Sequence, residues 1–410
     1  MTNRIKNISA REILDSRSNP TVEACVILES GAVGTASVPS GASTGIHEAH
    51  ELRDGDRSRY GGKGVLGAVK NINDIIRPAL LGAMANDQEA IDRKMIALDQ
   101  SVNKSNLGAN SILAVSLAVA RAAAKELGLE LYQYLGKKEK GKAPTPMFNL
   151  LNGGAHATNN VDIQEFMVVP HGLTLEKAIQ AGSEIYHTLG RLLKDKGLST
   201  GVGDEGGFAP DLESDEEAIK LLCQAITDAG YSLDKVGIAL DVASSEWFVD
   251  GKYRMPKRGE TVTADILIDR YKVLCEKYPI ISIEDGVSED DYDGWVKLTE
   301  ALGDKIMLVG DDFFVTNERR LREGIRLSAA NAILIKPNQI GSLSETLKVI
   351  SVAQESGYRV IVSHRSGETN DSAISDIAVA VGAEFIKAGA PCRGERVAKY
   401  NRLSEIYSYK

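Results

Sequence analysis

Paired cysteines, long apolar runs and an excess of positive charge are all missing from this 410-residue sequence. The four cysteines, Cys25, Cys223, Cys275 and Cys392, stand far apart with no C-x-x-C pair, which argues against a disulfide framework and reads as buried free thiols in a reducing compartment. The uncharged run Ser105 to Ala120 is too short for a membrane span and is broken by Asn, Gly and Ser. The first residues, M-T-N-R-I-K-N, carry no apolar signal segment, so the expected location is the cytoplasm. A formal charge of −9 argues against nucleic acid or an anionic membrane as partner, because both need basic patches. An acidic chain can still take an acidic substrate if cations mediate.

What is present is a globular composition, 43% hydrophobic and 26% charged, on a chain too long for one ordinary core. Two domains are expected, one of them a barrel of about 250 residues. The second half is organised around Ala332 to Gln339, A-I-L-I-K-P-N-Q, in which a fully apolar strand runs into Lys336 and is stopped by Pro337. The same pattern recurs. Short apolar runs lead to Asp241, Glu284 and Asp311 before Lys336 and to His364 and Lys387 after it, at intervals of between 23 and 43 residues along the six, the length of one strand, one helix and their loops. In a (β/α) barrel the carboxyl ends of the strands carry the active site, so these residues form a candidate site.

In chain order, residues 4–38 alternate as a three-stranded antiparallel meander, with Val22, Ala24, Val26 and Leu28 on one face. The loop Ser40-Gly-Ala-Ser-Thr-Gly45 is not followed by G-K-[ST], and on its residues alone reads as a mobile surface loop. His47-Glu-Ala-His50-Glu51 is not a zinc-protease helix, because its second histidine falls at i+3. Helices are expected at about 63–81, 87–101 and 107–127, and residues 137–143 read as a linker between domains 1–136 and 144–410. The second domain begins with two strands, 145–151 and 162–169, and two helices, 174–196 and 215–229, a ββαα opening before the βα repeats. Five later helices, about 263–277, 289–302, 317–328, 342–356 and 371–381, complete the repeats. Gly201-Val-Gly-Asp-Glu-Gly-Gly207 matches G-x-G-x-x-G literally, but Asp204 and Glu205 would repel a pyrophosphate and no helix follows at once.

Asp241, Glu284 and Asp311 are three carboxylates on successive strand ends, a set that calls for a divalent cation, Mg²⁺ rather than zinc. Lys336, across the same mouth from Lys387, becomes a general base if the cation, the second lysine and desolvation depress its pKa. Such a site suits removal of a weakly acidic proton beside a carboxylate. Glu205, with Glu165 nearby, is the candidate acid for a departing hydroxyl.

These stretches resemble the enolase family. The resemblance runs from Asp15-Ser-Arg through S-G-A-S-T-G at 40–45, G-D-E-G-G at 203–207, I-E-D-G at 283–286, I-K-P-N-Q at 335–339 and S-H-R-S-G-E-T at 363–369 to R-V-A-K-Y-N at 396–401. It implies an α+β amino-terminal domain followed by an enolase-type (β/α)8 barrel that starts ββαα. It also implies reversible dehydration of 2-phosphoglycerate to phosphoenolpyruvate and water, in glycolysis and gluconeogenesis. Lys336 would take the C2 proton, and Glu205, helped by Glu165, would protonate the leaving C3 hydroxyl. Asp241, Glu284 and Asp311 would hold one Mg²⁺, and Ser43 would help bind a second that arrives with substrate, which makes the Ser40–Gly45 loop a lid. Arg365 and Ser366 match the phosphate contacts, Lys387 the carboxylate side, and Gln164, His156 and His364 the remaining walls. A homodimer or octamer is implied, and Lys410 reads first as a plain basic end and second, by the resemblance, as one that lysine-binding partners such as plasminogen capture.

The chain departs from the family pattern at Ser18, where glycine is usual, and a serine costs about 1 to 2 kcal/mol if that position needs φ > 0. Its carboxyl end also stops early, which predicts a short last barrel helix. The alternatives are another carboxylate reaction of the superfamily, which would need other bases and no S-G-A-S-T-G loop, and a catalytically silent scaffold, which would be free to lose site residues.

Overall fold

The computed structural model describes residues 3–41, 45–136 and 141–408. Strands β1 (Ile5–Leu14), β2 (Pro20–Leu28) and β3 (Val33–Ser37) form the expected antiparallel meander, with Val22, Ala24, Val26 and Leu28 completely buried. The turn between β1 and β2 is built on Asp15, whose Oδ1 accepts from the backbone N–H of Arg17 and of Asn19, each at 2.8 Å. Ser18 sits in this turn at φ 61°, the left-handed region a Cβ disfavours.

Behind the sheet lie the short helices Leu66–Asn71 and Arg77–Leu80, joined by a π turn at Ile72–Ile76, then α1 (Gln88–Asp99) and α2 (Ala109–Glu126). Helix α2 is alanine-rich and buried nearly all round, so the elements against it must come close. Gly34 of β3 shows how close: a Cβ there would lie 2.1 Å from the Ala118 carbonyl oxygen. A further helical turn, Leu131–Leu135, which the sequence reading missed, has Glu130 and Gln133 as its capping box.

Eight strands close into the barrel: β4 (Thr145–Asn152), β5 (Glu165–Val169), β6 (Gly237–Asp241), β7 (Ile280–Glu284), β8 (Met307–Gly310), β9 (Ala332–Ile335), β10 (Arg359–Ser363) and β11 (Phe385–Lys387). Their order round the barrel is β7-β8-β9-β10-β11-β4-β5-β6, and β5 runs antiparallel to both neighbours. The core contains Met147, Met167, Val169, Ala239, Met307, Val309, Ala332, Leu334 and Ile361. Where two of them share a strand they are two residues apart, as the period of a strand requires of side chains on one face.

Helices α3 (Leu175–Asp195) and α4 (Asp215–Asp228) follow β5 without an intervening strand, which is the ββαα opening. The later helices are α5 (Ala264–Lys277), α6 (Tyr292–Leu302), α7 (Glu318–Leu327), α8 (Leu343–Glu355), α9 (Ala373–Val381) and α10 (Gly394–Ser408). Each of α3–α9 begins and ends within three residues of its expected position. Helix α10 runs for 15 residues and buries Arg396, Lys399, Tyr400, Leu403 and Ile406, so it is not the short helix that the early carboxyl end suggested. The sequence reading also missed a small three-stranded sheet, Phe248–Val249, Lys252–Met255 and Glu260–Val262. Its first turn is Asp250-Gly251, with φ of 52° and 76°, a hairpin signal present in the sequence. The four cysteines are free, but each is half-buried rather than buried, because none lies among the core positions. No helix among the described residues is long and apolar enough to cross a membrane.

The chain divides into two compact units, one of residues 1–142, 335–351 and 364–382, the other of 143–334, 352–363 and 383–410. In the first unit, segment 364–382 is fastened to the meander and α2 by Asp371. Its carboxylate accepts from Arg121 Nη2 at 2.7 Å, from the Ser37 N–H at 3.0 Å and from the Ala373 N–H at 2.8 Å.

Two outcomes follow. Replacing Ser18 with Gly is expected to raise stability by about 1 kcal/mol, read as a higher denaturant midpoint at unchanged slope. For Asp371, burial pushes the carboxyl up, but the Arg121 guanidinium and the two N–H donors outweigh it and hold it below the usual carboxylate value. That stabilisation is therefore present above the unfolded value of about 3.9 and is lost as pH falls through the lower folded value. Arg121→Ala is expected to cost about 3 kcal/mol at neutral pH, with the gap from wild type narrowing in acid denaturation curves below about pH 4.

Candidate active site

The residues singled out from the sequence fall on both units, and each unit is described by itself. In the barrel unit, strand register sets the positions. Asp241 ends β6 and pairs across to Glu284, the end of β7. An irregularity between Ile280 and Ser282 shifts the register by one, which brings Ser282 level with Ala239 and Glu284 level with Asp241. Because β5 is reversed, its first residue lies at this rim, and Glu165 pairs with Asp241 on one side and Asn152 on the other. Glu165 and Asp241 also keep the parity of the core residues Met167 and Ala239 on their own strands, and Asp311 that of Val309.

Lys387, the last residue of β11, supplies the cation. Its Nζ lies 3.0 Å from Asp241 Oδ2, 3.0 Å from Glu284 Oε2 and 3.1 Å from Glu165 Oε2. Burial would lower its pKa, but the charges of Asp241, Glu165, Glu284 and Glu205 outweigh burial and hold it well above the ordinary lysine value. A depressed pKa of the kind a catalytic base needs is therefore not a property of this lysine. Burial, then Glu205, pushes Glu165 well up, with Lys387 opposing. Burial and Asp241 do the same to Glu284, with Asp311 adding to the effect.

Glu205 lies on the loop Gly203–Gly207, where Asn149 Nδ2 donates to its Oε2 at 3.0 Å. The glycines let this loop press onto β4: a Cβ on Gly207 would lie 2.1 Å from Asn152 Oδ1. No dinucleotide fold surrounds the G-x-G-x-x-G match, since helix α3 precedes it and α4 starts only at Asp215. His156 Nδ1 is 3.5 Å from Glu165 Oε1 and 4.0 Å from Glu205 Oε1. Gln164 is buried, its N–H donating to the Asp241 carbonyl at 3.1 Å.

Asp285 is a site residue the sequence reading passed over. It adopts φ 43°, and its carboxylate accepts from the N–H of Asp311 at 3.0 Å and of Asp312 at 2.8 Å. Its pKa is raised by burial and then by Asp312, Asp311, Glu284 and Asp241. The signal was its place beside Glu284 in I-E-D-G. Among the described residues, two groups have ligand atoms close enough to share one ion: Asp285, Asp311 and Asp312, and His156, Glu165 and Glu205. Asp241 and Glu284 stand on Lys387, and Asp311 stands beside Asp285 with its charge reaching Glu284. The donor set fits a hard divalent cation. Glu165, Glu205, Asp241, Glu284, Asp285 and Asp311 are oxygen donors withdrawn from water, from 1% exposed at Glu284 to 7% at Asp311, and Lys387 alone does not balance them.

In the other unit, Lys336 is the first residue after β9 and Pro337 opens the single helical turn Pro337–Ile340, so the strand stops where the sequence indicated. His364, Arg365 and Ser366 follow β10 and are buried. Three of the motifs meet here. Ser40 and Gly367 exchange backbone hydrogen bonds at 2.8 and 2.9 Å, Ser40 Oγ donates to Asp15 Oδ2, and Ser16 Oγ accepts from the Glu368 N–H. Gly367 is required, since a Cβ would lie 2.6 Å from Asp15 Oδ2. Arg365 donates from Nη1 to Glu48 Oε2 at 2.9 Å and to Asn338 Oδ1 at 3.2 Å, and from Nη2 to Glu48 Oε1 at 3.1 Å. Glu48, Asn338 and Glu368 were not singled out from the sequence; Glu48 had been weighed only within a zinc motif. Ser43 and Lys410, and residues 137–140 of the expected linker, lie outside the described residues.

The family model described as Enolase, N-terminal domain matches residues 5–135, and that described as Enolase, C-terminal TIM barrel domain matches residues 141–408. The buried acidic strand ends, the reversed second strand and two matches that together span nearly the whole chain lead to one assignment: this chain belongs to the enolase family.

Proposed function

We propose that this chain dehydrates 2-phosphoglycerate to phosphoenolpyruvate and water, reversibly, as a hydro-lyase. The observation that carries the reading is the set of six buried carboxyl groups at one barrel rim with Lys387 among them, a charge arrangement that calls for a divalent cation.

Lys336 takes the proton from C2. The electron pair left there moves toward the substrate carboxylate and returns as the C2–C3 double bond when the C3–oxygen bond breaks. Glu205 hands its proton to the departing hydroxyl, which leaves as water. Burial and the charge of Glu205 raise the pKa of Glu165, the direction that general-acid chemistry requires. Lys387 holds Asp241, Glu284 and Glu165 in place and turns a positive charge toward the substrate carboxylate. Arg365 and Ser366 bind the phosphate, and Gln164, His156 and His364 form the walls.

Asp241, Glu284 and Asp311 would hold one Mg²⁺, and Ser43 would contribute to a second that arrives with substrate. Bound there, Mg²⁺ supplies positive charge against the charge that builds on the substrate carboxylate. A homodimer or an octamer acting in the cytoplasm, within glycolysis and gluconeogenesis, fits this reaction.

The test is phosphoenolpyruvate formation from 2-phosphoglycerate, followed by ultraviolet absorbance with Mg²⁺, with chelator, and with Lys336→Ala in parallel. Turnover is expected with Mg²⁺, none with chelator, and a loss of at least about 10²-fold in kcat for the variant. Absence of turnover from folded, Mg²⁺-supplied wild-type protein would overturn the assignment.

A further inference from the structure

The guanidinium of Arg365 already carries an anion of the protein's own. Glu48 receives both of its Nη groups, at 2.9 and 3.1 Å, in a two-bonded pairing whose side chains are 4% and 7% exposed for Arg365 and Glu48. Neither partner is loosely held. Glu48 Oε1 also accepts from the Gly45 N–H at 3.0 Å and from Gln339 Nε2 at 3.4 Å, and Ala49 N–H donates to the Gln339 carbonyl at 2.8 Å. Arg365 is fixed from its own side by Asn338 Oδ1 and, through its backbone N–H, by Glu368 Oε1 at 3.0 Å. The planar fork of an arginine matches a carboxylate and a phosphate equally well in geometry, so the two compete for it.

We propose that Glu48 is a specificity-determining residue: its carboxylate fills the Arg365 fork when substrate is absent, and only a group that binds the fork better than a buried carboxylate displaces it. The inference rests on reading Arg365 as the phosphate ligand. A carboxylate substituent gains nothing by exchange with Glu48, since it makes the same two bonds with the same charge. A phosphate brings up to two charges and three acceptor oxygens, so the exchange favours it. Occupation by Glu48 lowers the apparent affinity for every anion by the fraction of molecules whose fork is open, and the strongest acceptors overcome that loss. Glu51, bonded to Arg53 at 2.6 Å, lies beside the pair; burial raises its pKa against the charges of Arg53 and Arg365.

The experiment is calorimetric titration of inorganic phosphate into Mg²⁺-supplied protein: wild type, Glu48→Gln, Glu48→Asp and Arg365→Gln, each with an unchanged melting profile. Glu48→Gln, which keeps the shape and loses the charge, is expected to bind phosphate about tenfold more tightly than wild type. Glu48→Asp, which keeps the charge, is expected to stay within about threefold of wild type, and Arg365→Gln to abolish binding. With 2-phosphoglycerate, Glu48→Gln is expected to lower KM by more than it changes kcat. Phosphate affinity unchanged or weakened in folded Glu48→Gln, or tightened as much in Glu48→Asp, would overturn the proposal. Phosphate binding that survives Arg365→Gln would instead sink the reading of Arg365 on which it rests, and the proposal with it.

Discussion

Negative charge buried at the rim of the barrel is the constraint from which the rest of this structure follows. Six carboxyl groups lie out of water there, and an isolated buried carboxylate is costly enough to take up a proton rather than stay charged. The raised values of Glu165, Glu284 and Asp285 record that cost. Lys387 offsets part of it by standing within 3.1 Å of three of them. Asp285 offsets more of its own share by taking two backbone N–H groups. A divalent cation is the natural completion of such a site, and metal binding is a property of the family to which the chain belongs.

The other unit treats charge differently. Arg365 and Glu48 are balanced one to one, hydrogen-bonded and withdrawn from water, and the motifs around Asp15, Ser40 and Gly367 tie that segment to the meander. One unit thus carries an excess of buried acid, and the other an ion pair closed on itself.

Much of this was legible in the residues alone. Continuous apolar strands ending in Asp241, Glu284, Asp311 and Lys336 marked out the barrel and the strand ends where its charge lies, because a strand buried on both faces has no place for charge except where it stops. Capping at Ser214 and breakers at Gly230 and Pro337 placed helix ends within a few residues. What escaped depends on pairing across long sequence distances. Nothing local says that Glu48 meets Arg365, or that Lys387 stands among Asp241, Glu284 and Glu165. The role of Asp285 lies in the backbone of Asp311 and Asp312, which no side-chain pattern reveals. Ser18 is a clear case of agreement, with φ 61° at the position where the family favours glycine.

The reversal of β5 has a consequence for where the chain must place its helices. A strand parallel to its successor leaves at one rim and must re-enter at the other, so a single helix returns the chain. Strand β5 leaves at the rim where β6 begins, since Val169 pairs with Gly237. The connection must therefore go out and come back, which takes an even number of helices, and α3 and α4 are that pair. The opening hairpin and the doubled helix are one topological decision, and a chain that straightened β5 would have to move one helix from after that strand to before it in the same step.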